Sequence, residues 1–503
     1  MTALTIIGLS ILAFLVLVFI SDVFINKKHT ILRNFPVVGH IRYFLESIGP
    51  ELRQYLVAQN REEQPFNRVE RSYVYASAKK QNNMQGFGSD ADFRKPGHFF
   101  FKQATFPYGA VKQDSWFDKP ITADYLPCAK IVGPHRQKPY QPKSVINISA
   151  MSYGALGSKA TTANNKGAGL AGAYHNTGEG GFSDYHNNGA DVVFQVGTAY
   201  YGCRDEKGKF SMDVLVKLVK DYPNIKMIEI KLSQGAKPGK GGILPAEKVT
   251  PEIASIRGIK PYTASISPGY HTEFSNANEL VIFIERVAAE TGLPVGIKSA
   301  VGRLDFWVQL AYEMEKNGWG PDFITIDGGE GGTGAAPAAF ADNVSLPFEV
   351  AFTSVYSIFQ KAGLHNKIVF IGSAKLGLPS NAVKAFAMGV DMINLAREIL
   401  MSIGCIQAQK CHTGNCPAGI ATNKWWLQKG LDIESKSERV ESYIHMLRKD
   451  ILEITHAMGF EHPAEVRMSA VAVNHKDGFA NATLCDIYHY EKDLNWFYEK
   501  RNK

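Results

Sequence analysis

Cysteine is scarce in this chain, with six among 503 residues. A secreted disulfide framework spreads many more through a shorter sequence, so that class is excluded and a reducing, cytoplasmic setting is expected for the main body. No Lys or Arg precedes Lys27. A cleavable signal peptide carries a basic start, a shorter apolar run and a small-residue cleavage site, and none is evident. Also missing is any Lys/Arg block beside an aromatic-rich sheet pattern, and a formal charge of +7 is modest for this length, so no nucleic-acid partner is expected. No Gly-x-Gly-x-x-Gly turn follows the first strand-like run, where AMSYGALG stands instead, and this counts against a doubly wound dinucleotide fold.

What is present begins with LTIIGLSILAFLVLVFISDVFI, residues 4–25, whose only charge is Asp22. Its 22 residues are enough to cross a hydrocarbon core of roughly 30 Å as a helix, so a membrane anchor is expected. Lys27, Lys28, His29 and Arg33 follow directly, and the excess of positive charge on that side places the long remainder in the cytoplasm. Residues 26–142 are rich in Pro, aromatics and charges and read as a juxtamembrane extension with little strand alternation.

From Lys143 the texture changes. Short β-branched runs, each ending in Gly, Ser, Asn or Thr, alternate with helical stretches. Eight strands are expected at 145–154, 173–181, 192–197, 227–235, 295–302, 323–332, 368–377 and 392–397. That count over this length predicts an α/β fold of the (β/α)8 TIM-barrel class. TASISP, 263–268, is assigned to an enlarged loop after the fourth strand, with a ninth strand as the alternative. The expected boundaries are an anchor at 4–25, an extension at 26–142, a barrel at 143–430 and a C-terminal helical segment and tail at 431–503.

Active sites of such barrels lie where strands end. Here those ends read SYGALG, NTGEGG, QGAKPGKGG, IKSAVG, DGGEGGTG and GSAKLG, and glycine turns that let backbone amides approach an anion fit a phosphate-bearing cofactor. Lys298 ends a strand, where an ammonium is costly unless it meets an anion. Two partners remain open from the residues alone, the pyrimidine edge of a reduced flavin or a carboxylate on the rim. Gln234, Lys237 and Lys240 share a glycine loop with Arg257 downstream, a set suited to a dicarboxylate because guanidinium binds carboxylate in a fork. Cys405, Cys411 and Cys416 form C-x5-C-x4-C in a loop set by Gly414, Asn415 and Pro417. Three thiols without a fourth suit a three-iron cluster better than zinc, and His412, one residue after Cys411, is poorly placed as a fourth ligand.

MSYG (151–154), NTGEGG (176–181), QGAKPGKGG (234–242), KVTPEIASIR (248–257), GGTGAAP (331–337) and the thiol loop with PAGIAT (417–422) together resemble the FMN-binding synthase domain of glutamate synthases. The likeness runs over about 140–475 and includes a closing helix with apolar positions Val440, Ile444, Leu447, Ile451 and Ile454 and a Gly459 cap. It implies an FMN barrel with a 3Fe-4S cluster on Cys405, Cys411 and Cys416, and reduction of 2-iminoglutarate, formed from 2-oxoglutarate and ammonia, to L-glutamate. It implies flavin contacts from Met151, Ser152, Gln195, Lys298, Gly331 and Gly332, and phosphate contacts near Gly372, Ser373 and Ala396. Glu179, Lys237, Arg257 and Gln234 match the substrate positions, with Arg257 and Lys237 on the carboxylates and Glu179 at the amino end.

The loop departs from the family at Lys240 and Ile243, where an acid and a glutamine are usual. No glutaminase segment and no NAD(P)H segment are recognised, so ammonia and electrons are expected from elsewhere, the latter from a ferredoxin or a reductase subunit. Two other functions stay open: an FMN-dependent oxidase or dehydrogenase of another amino or hydroxy acid, and a membrane-tethered flavin and iron-sulfur electron-transfer protein. IDGGEGGTG lacks the His and Arg a hydroxy-acid oxidase would carry after its sixth strand.

Overall fold

The computed structural model describes residues 2–26, 29–110, 115, 117–475 and 480–499. Lys27 and Lys28, on which the expected orientation partly rests, lie outside the described residues. The chain divides into two compact units, Met1–Arg71 and Ser72–Lys503. Residues 72–142, expected as part of an extension, therefore belong to the same unit as the barrel.

In the first unit, Ala3–Ile20 is an α-helix that continues as a π-helical turn over Ser21–Ile25. These 23 residues are long and apolar enough to cross a membrane, and no side chain of Ala3–Ile20 is buried. Asp22, the single charge, accepts from the Val37 N–H at 2.9 Å and meets His40 Nε2 at 2.9 Å. A helix over Gly39–Leu52 leaves Ile41, Phe44 and Leu45 exposed.

The second unit is built on a closed barrel of eight parallel strands: β1 (Ile146–Ile148), β2 (Tyr174–Asn176), β3 (Asp191–Val196), β4 (Ile225–Lys231), β5 (Val295–Ala300), β6 (Phe323–Asp327), β7 (Val369–Ser373) and β8 (Met392–Leu395). Neighbours in the barrel are neighbours in sequence, and β8 closes on β1 with Ile393 opposite Ile146. Each expected strand overlaps one of these eight, although β3 begins one residue and β4 two residues before the expected spans. The run at 263–268 forms only Ser265–Ile266, which pairs antiparallel with Ile243–Leu244 outside the barrel.

Residues 126–132 plug the lower end. Cys128 and Val132 are buried against Tyr174, Val193, Met227, Phe323, Val369 and Met392, near the beginnings of the strands. Above this apolar floor the inward positions turn polar. Glu229 is 1% exposed and accepts from Asn176 Nδ2 at 2.8 Å, Gln195 Nε2 at 2.7 Å and Thr325 Oγ1 at 2.7 Å. Three donors compensate the cost of burying that carboxylate.

The closing helix spans Ile433–Ala457, with Val440, Ile444, Leu447 and Ile451 buried and Ile454 half-buried. It packs on the helix Ser158–Leu170. The expected helical tail also holds two strands: Val471–His475 pairs with Ala480–Thr483 on one side and with Phe99–Phe101 on the other. The lack of alternation in FFF hid that pairing, because its partner lies on the far side of the barrel sequence.

Candidate functional site

The loops that follow β1, β2, β4, β5 and β6 converge over the upper end of the barrel. Their glycines serve loop-to-loop packing: a Cβ at Gly235 would stand 1.8 Å from the Gly328 carbonyl, so the β4 and β6 loops touch backbone to backbone. The Gly235 N–H donates to Asp327 Oδ2 at 2.7 Å and fixes the contact.

At the centre is Glu179. Its Oε1 accepts from Lys231 Nζ at 2.7 Å, and the same ammonium donates to Gln234 Oε1 at 3.0 Å. Burial alone would raise the Glu179 carboxyl, but Lys231, with Lys237 and Arg257 further off, outweighs it and holds the group below the usual range. Lys237 is buried with Nζ 3.1 Å from the Ala335 carbonyl, and burial and the neighbouring Lys231 lower it. Arg257, 6% exposed, donates through Nη1 to Ser265 Oγ at 3.0 Å and through Nη2 to the Tyr153 carbonyl at 3.3 Å. Its guanidinium stands 5.2 Å from the Tyr201 ring centre, and its buried Nε has no partner among the described residues. Burial lowers its pKa as well.

Glu179, Gln234, Lys237 and Arg257 are thus brought together, and the group that joins them, Lys231, was not singled out from the sequence. Its signal lay in MIEIKLSQG: alternation puts Met227, Glu229 and Lys231 on one face of β4, and Met227 and Glu229 point into the barrel. His271 supports Lys231 from behind, its Nε2 2.8 Å from the Lys231 carbonyl and its Nδ1 3.1 Å from Tyr200 Oη. Burial lowers that imidazole to about 4, which keeps it neutral.

Lys298 stands opposite Lys231 in the β4–β5 register. Its ammonium is buried, 3.4 Å from Asp327 Oδ1 and 3.5 Å from Ser149 Oγ. The carboxylate partner left open by the sequence is therefore present. Both contacts are long, so donor capacity remains for a further acceptor. Ser149 Oγ also lies 3.4 Å from Ser373 Oγ, which joins the ends of β1 and β7. Met151 and Ser152 lie against Gly178, where a Cβ would stand 2.6 Å from the Ser152 nitrogen. Gln195 is committed to Glu229 just beneath the rim. The Gly331 N–H bonds back to the Gly328 carbonyl at 2.9 Å, and the Gly332 carbonyl receives Gln234 Nε2 at 3.5 Å. Gly372 is the penultimate residue of β7, and Ala396 stands at the position just before the short helix Arg397–Ser402.

Lys240 and Ile243 are both exposed. Lys240 Nζ sits 4.8 Å over the Phe340 ring, and Ile243 pairs with Ile266. Between them, Gly242 packs directly on Glu179, where a Cβ would stand 2.6 Å from Oε1.

Cys405, Cys411 and Cys416 are free thiols, the first two half-buried and the third buried, while His412 is exposed. Burial pushes Cys405 up to about 11, with added repulsion from Cys411 and Cys416. Among the described residues no three Cys, His, Asp or Glu side chains close around a single metal ion. A three-iron core sets its thiolates wider apart than one ion does, and three soft sulfur donors without an oxygen ligand suit it. Tyr75 Oη donates to the Cys405 carbonyl at 2.7 Å, and Thr422 Oγ1 to the Gly414 carbonyl at 2.7 Å, which fixes the loop's two ends. Lys248 lies beside it, 3% exposed, and burial lowers its pKa to about 8 against the opposing pull of Cys411 and Cys416.

A family model of a conserved region in glutamate synthase matches residues 118–461. The chain belongs to the glutamate synthase family. It is 39% identical to the glutamate synthase large subunit-like protein YerD of Bacillus subtilis over 90% of this chain and 91% of that one. An archaeal glutamate synthase [NADPH] of Archaeoglobus fulgidus is 32% identical over 63% of this chain and 60% of its own. A ferredoxin-dependent glutamate synthase of Cyanidium caldarium is 32% identical over 50% of this chain, which spans 16% of that protein. The family makes the protein an oxidoreductase of glutamate synthase type, carried on a TIM barrel.

Proposed function

We propose that the protein reductively aminates 2-oxoglutarate, by way of 2-iminoglutarate, to L-glutamate, with electrons relayed to the site through a 3Fe-4S cluster. The observation that carries this reading is the cluster at the rim, three cations (Lys231, Lys237, Arg257) around one carboxylate, Glu179. An excess of positive charge, together with a buried Arg257 Nε that is unpartnered among the described residues, complements a dicarboxylate.

When bound, FMN would supply a hydride, and the iron-sulfur cluster would pass single electrons to it. Lys298, with Met151, Ser152, Gln195, Gly331, Gly332, Gly372, Ser373 and Ala396, would hold the flavin, and Cys405, Cys411 and Cys416 the cluster. The remaining roles belong to the chain. Arg257 and Lys237 bind the two carboxylates of the substrate and fix its orientation. Lys237 exchanges its bond to the Ala335 carbonyl for one of them. Glu179 stays ionised at neutral pH and stabilises the protonated imine, which accepts hydride faster than the neutral one. Lys231 and Gln234 hold the Glu179 carboxylate in place.

Ammonia comes from solution or from a partner with glutaminase activity. The donor is a separate ferredoxin or reductase subunit. The apolar helix Ala3–Ile25 anchors the protein in the membrane in a single pass, with the barrel in the cytoplasm. The test is anaerobic reoxidation of the chemically reduced protein. Flavin absorbance returns when 2-oxoglutarate and ammonium are added together and stays bleached with either one alone; reoxidation that ignores ammonium would overturn the reading in favour of another substrate.

A further inference from the structure

Lys248 has no part in the substrate cluster, yet it is one of the most deeply buried lysines of the barrel unit at 3% exposure. Its Nζ donates to the Ala155 carbonyl at 2.8 Å, the Ala421 carbonyl at 3.2 Å and the Cys411 carbonyl at 3.5 Å. Among the described residues no carboxylate lies within ion-pair distance of it. A buried ammonium satisfied only by neutral carbonyls carries an uncompensated charge, which is costly unless an anion stands near. The group beside it is the loop of Cys405, Cys411 and Cys416, whose three thiols become anions on binding iron. The Lys248 backbone is tied to the same region, because Asn423 Nδ2 donates to its carbonyl at 3.0 Å and to the Gly154 carbonyl at 3.3 Å.

We propose that Lys248 is the buried counter-charge of the three-thiolate loop and raises the reduction potential of the iron-sulfur cluster held there. The inference rests on the cluster reading above. Reduction adds one electron to the cluster, taken from the external donor, with no bond made or broken. A fixed positive charge in a low-dielectric setting favours the more negative, reduced form. Position adds a second effect. Lys248 ends the turn Ala246–Lys248 and is followed by the helix Pro251–Arg257, so the segment that meets the thiol loop is the one that delivers Arg257 to the substrate cluster.

The test compares the full chain with Lys248→Met, Lys248→Gln and Lys248→Arg after anaerobic purification. Iron and sulfide are measured, and the cluster is titrated with dithionite and mediators under electron paramagnetic resonance. Expected is a lower midpoint for Met and Gln, a midpoint near wild type for Arg, and a smaller displacement of the flavin midpoint read in the same titration. Equal cluster midpoints at equal iron content would overturn the proposal. Loss of iron in Met and Gln but not in Arg supports it, since charge is then what the loop needs, whereas loss in all three assigns Lys248 to packing and sinks it. A wild-type chain without iron or sulfide overturns the cluster reading itself, an outcome distinct from the others.

Discussion

Glu179 is pulled two ways: burial favours its neutral form, and the surrounding cations favour the charged one, which prevails. Because its folded-state value lies below the usual 4.5, the ionised carboxyl stabilises the fold above that pH, and the contribution is lost as pH falls through the folded-state value. Replacing Glu179 with Gln should cost about 1–2 kcal/mol near neutral pH, since Lys231 keeps an acceptor but loses an opposite charge. Thermal denaturation should show the gap between wild type and Glu179→Gln constant above about pH 5 and closing as the pH drops below the usual Glu value. At Arg257, the change to Lys keeps the charge and loses the fork. A lost hydrogen bond to a charged group is worth about 1.5–3 kcal/mol, so kcat/KM for the dicarboxylate should fall roughly 10- to 150-fold, carried mainly by KM. A fall in kcat alone would place Arg257 away from the carboxylates. The residues that sequence reasoning picked were those whose motifs contain several unusual neighbours at once. Lys231 and Lys248 escaped because each is a single lysine whose meaning depends on what the fold sets opposite it: Glu179 for one, the thiol loop for the other.

At the scale of elements, the loop after β4 is clasped to the loop after β6 at Gly235, Lys237 and Lys240. The Lys240–Phe340 contact is exposed and should be worth about 0.5–1 kcal/mol, so Lys240→Ala should speed amide exchange across 236–243 roughly two- to five-fold and leave the barrel strands unchanged. Exchange that is unaltered there would mean that the clasp rests on Gly235 and Lys237 alone. Most of the barrel strands were legible because a parallel strand, buried on both faces, reads as a compact β-branched run that stops at a polar or glycine rim, whereas Tyr174–Asn176 holds no β-branched residue and is marked by the glycine-rich rim that follows it. The glycines of that rim had a second meaning that the sequence did not reveal. Gly235 is required by the close approach of another loop, a tertiary fact that a phosphate-binding turn would mimic in the sequence. In the sheet of Phe99–Phe101, Val471–His475 and Ala480–Thr483, the first strand was illegible for the converse reason, since FFF lacks alternation and its partner is remote in sequence, whereas the other two are short and only four residues apart.

For the whole molecule, the N-terminal unit carries the apolar helix Ala3–Ile25, and the chain after it holds Ile41, Phe44 and Leu45 exposed on a second helix. If the first helix spans a bilayer, the full chain should sediment with membranes and resist alkaline carbonate, while a chain lacking residues 2–26 should be released. Release of the full chain by carbonate would contradict the anchor. The barrel and its rim set the chemistry, and the central claim is that this rim makes glutamate. The most direct measurement is a single turnover: the anaerobic, chemically reduced, flavin-loaded protein is mixed with 2-oxoglutarate and isotopically labelled ammonium, and amino acids are analysed by mass. The account predicts labelled L-glutamate, about one per flavin reoxidised, since each hydride carries the two electrons that one imine requires. Reoxidation of a fully loaded sample without labelled glutamate would contradict it.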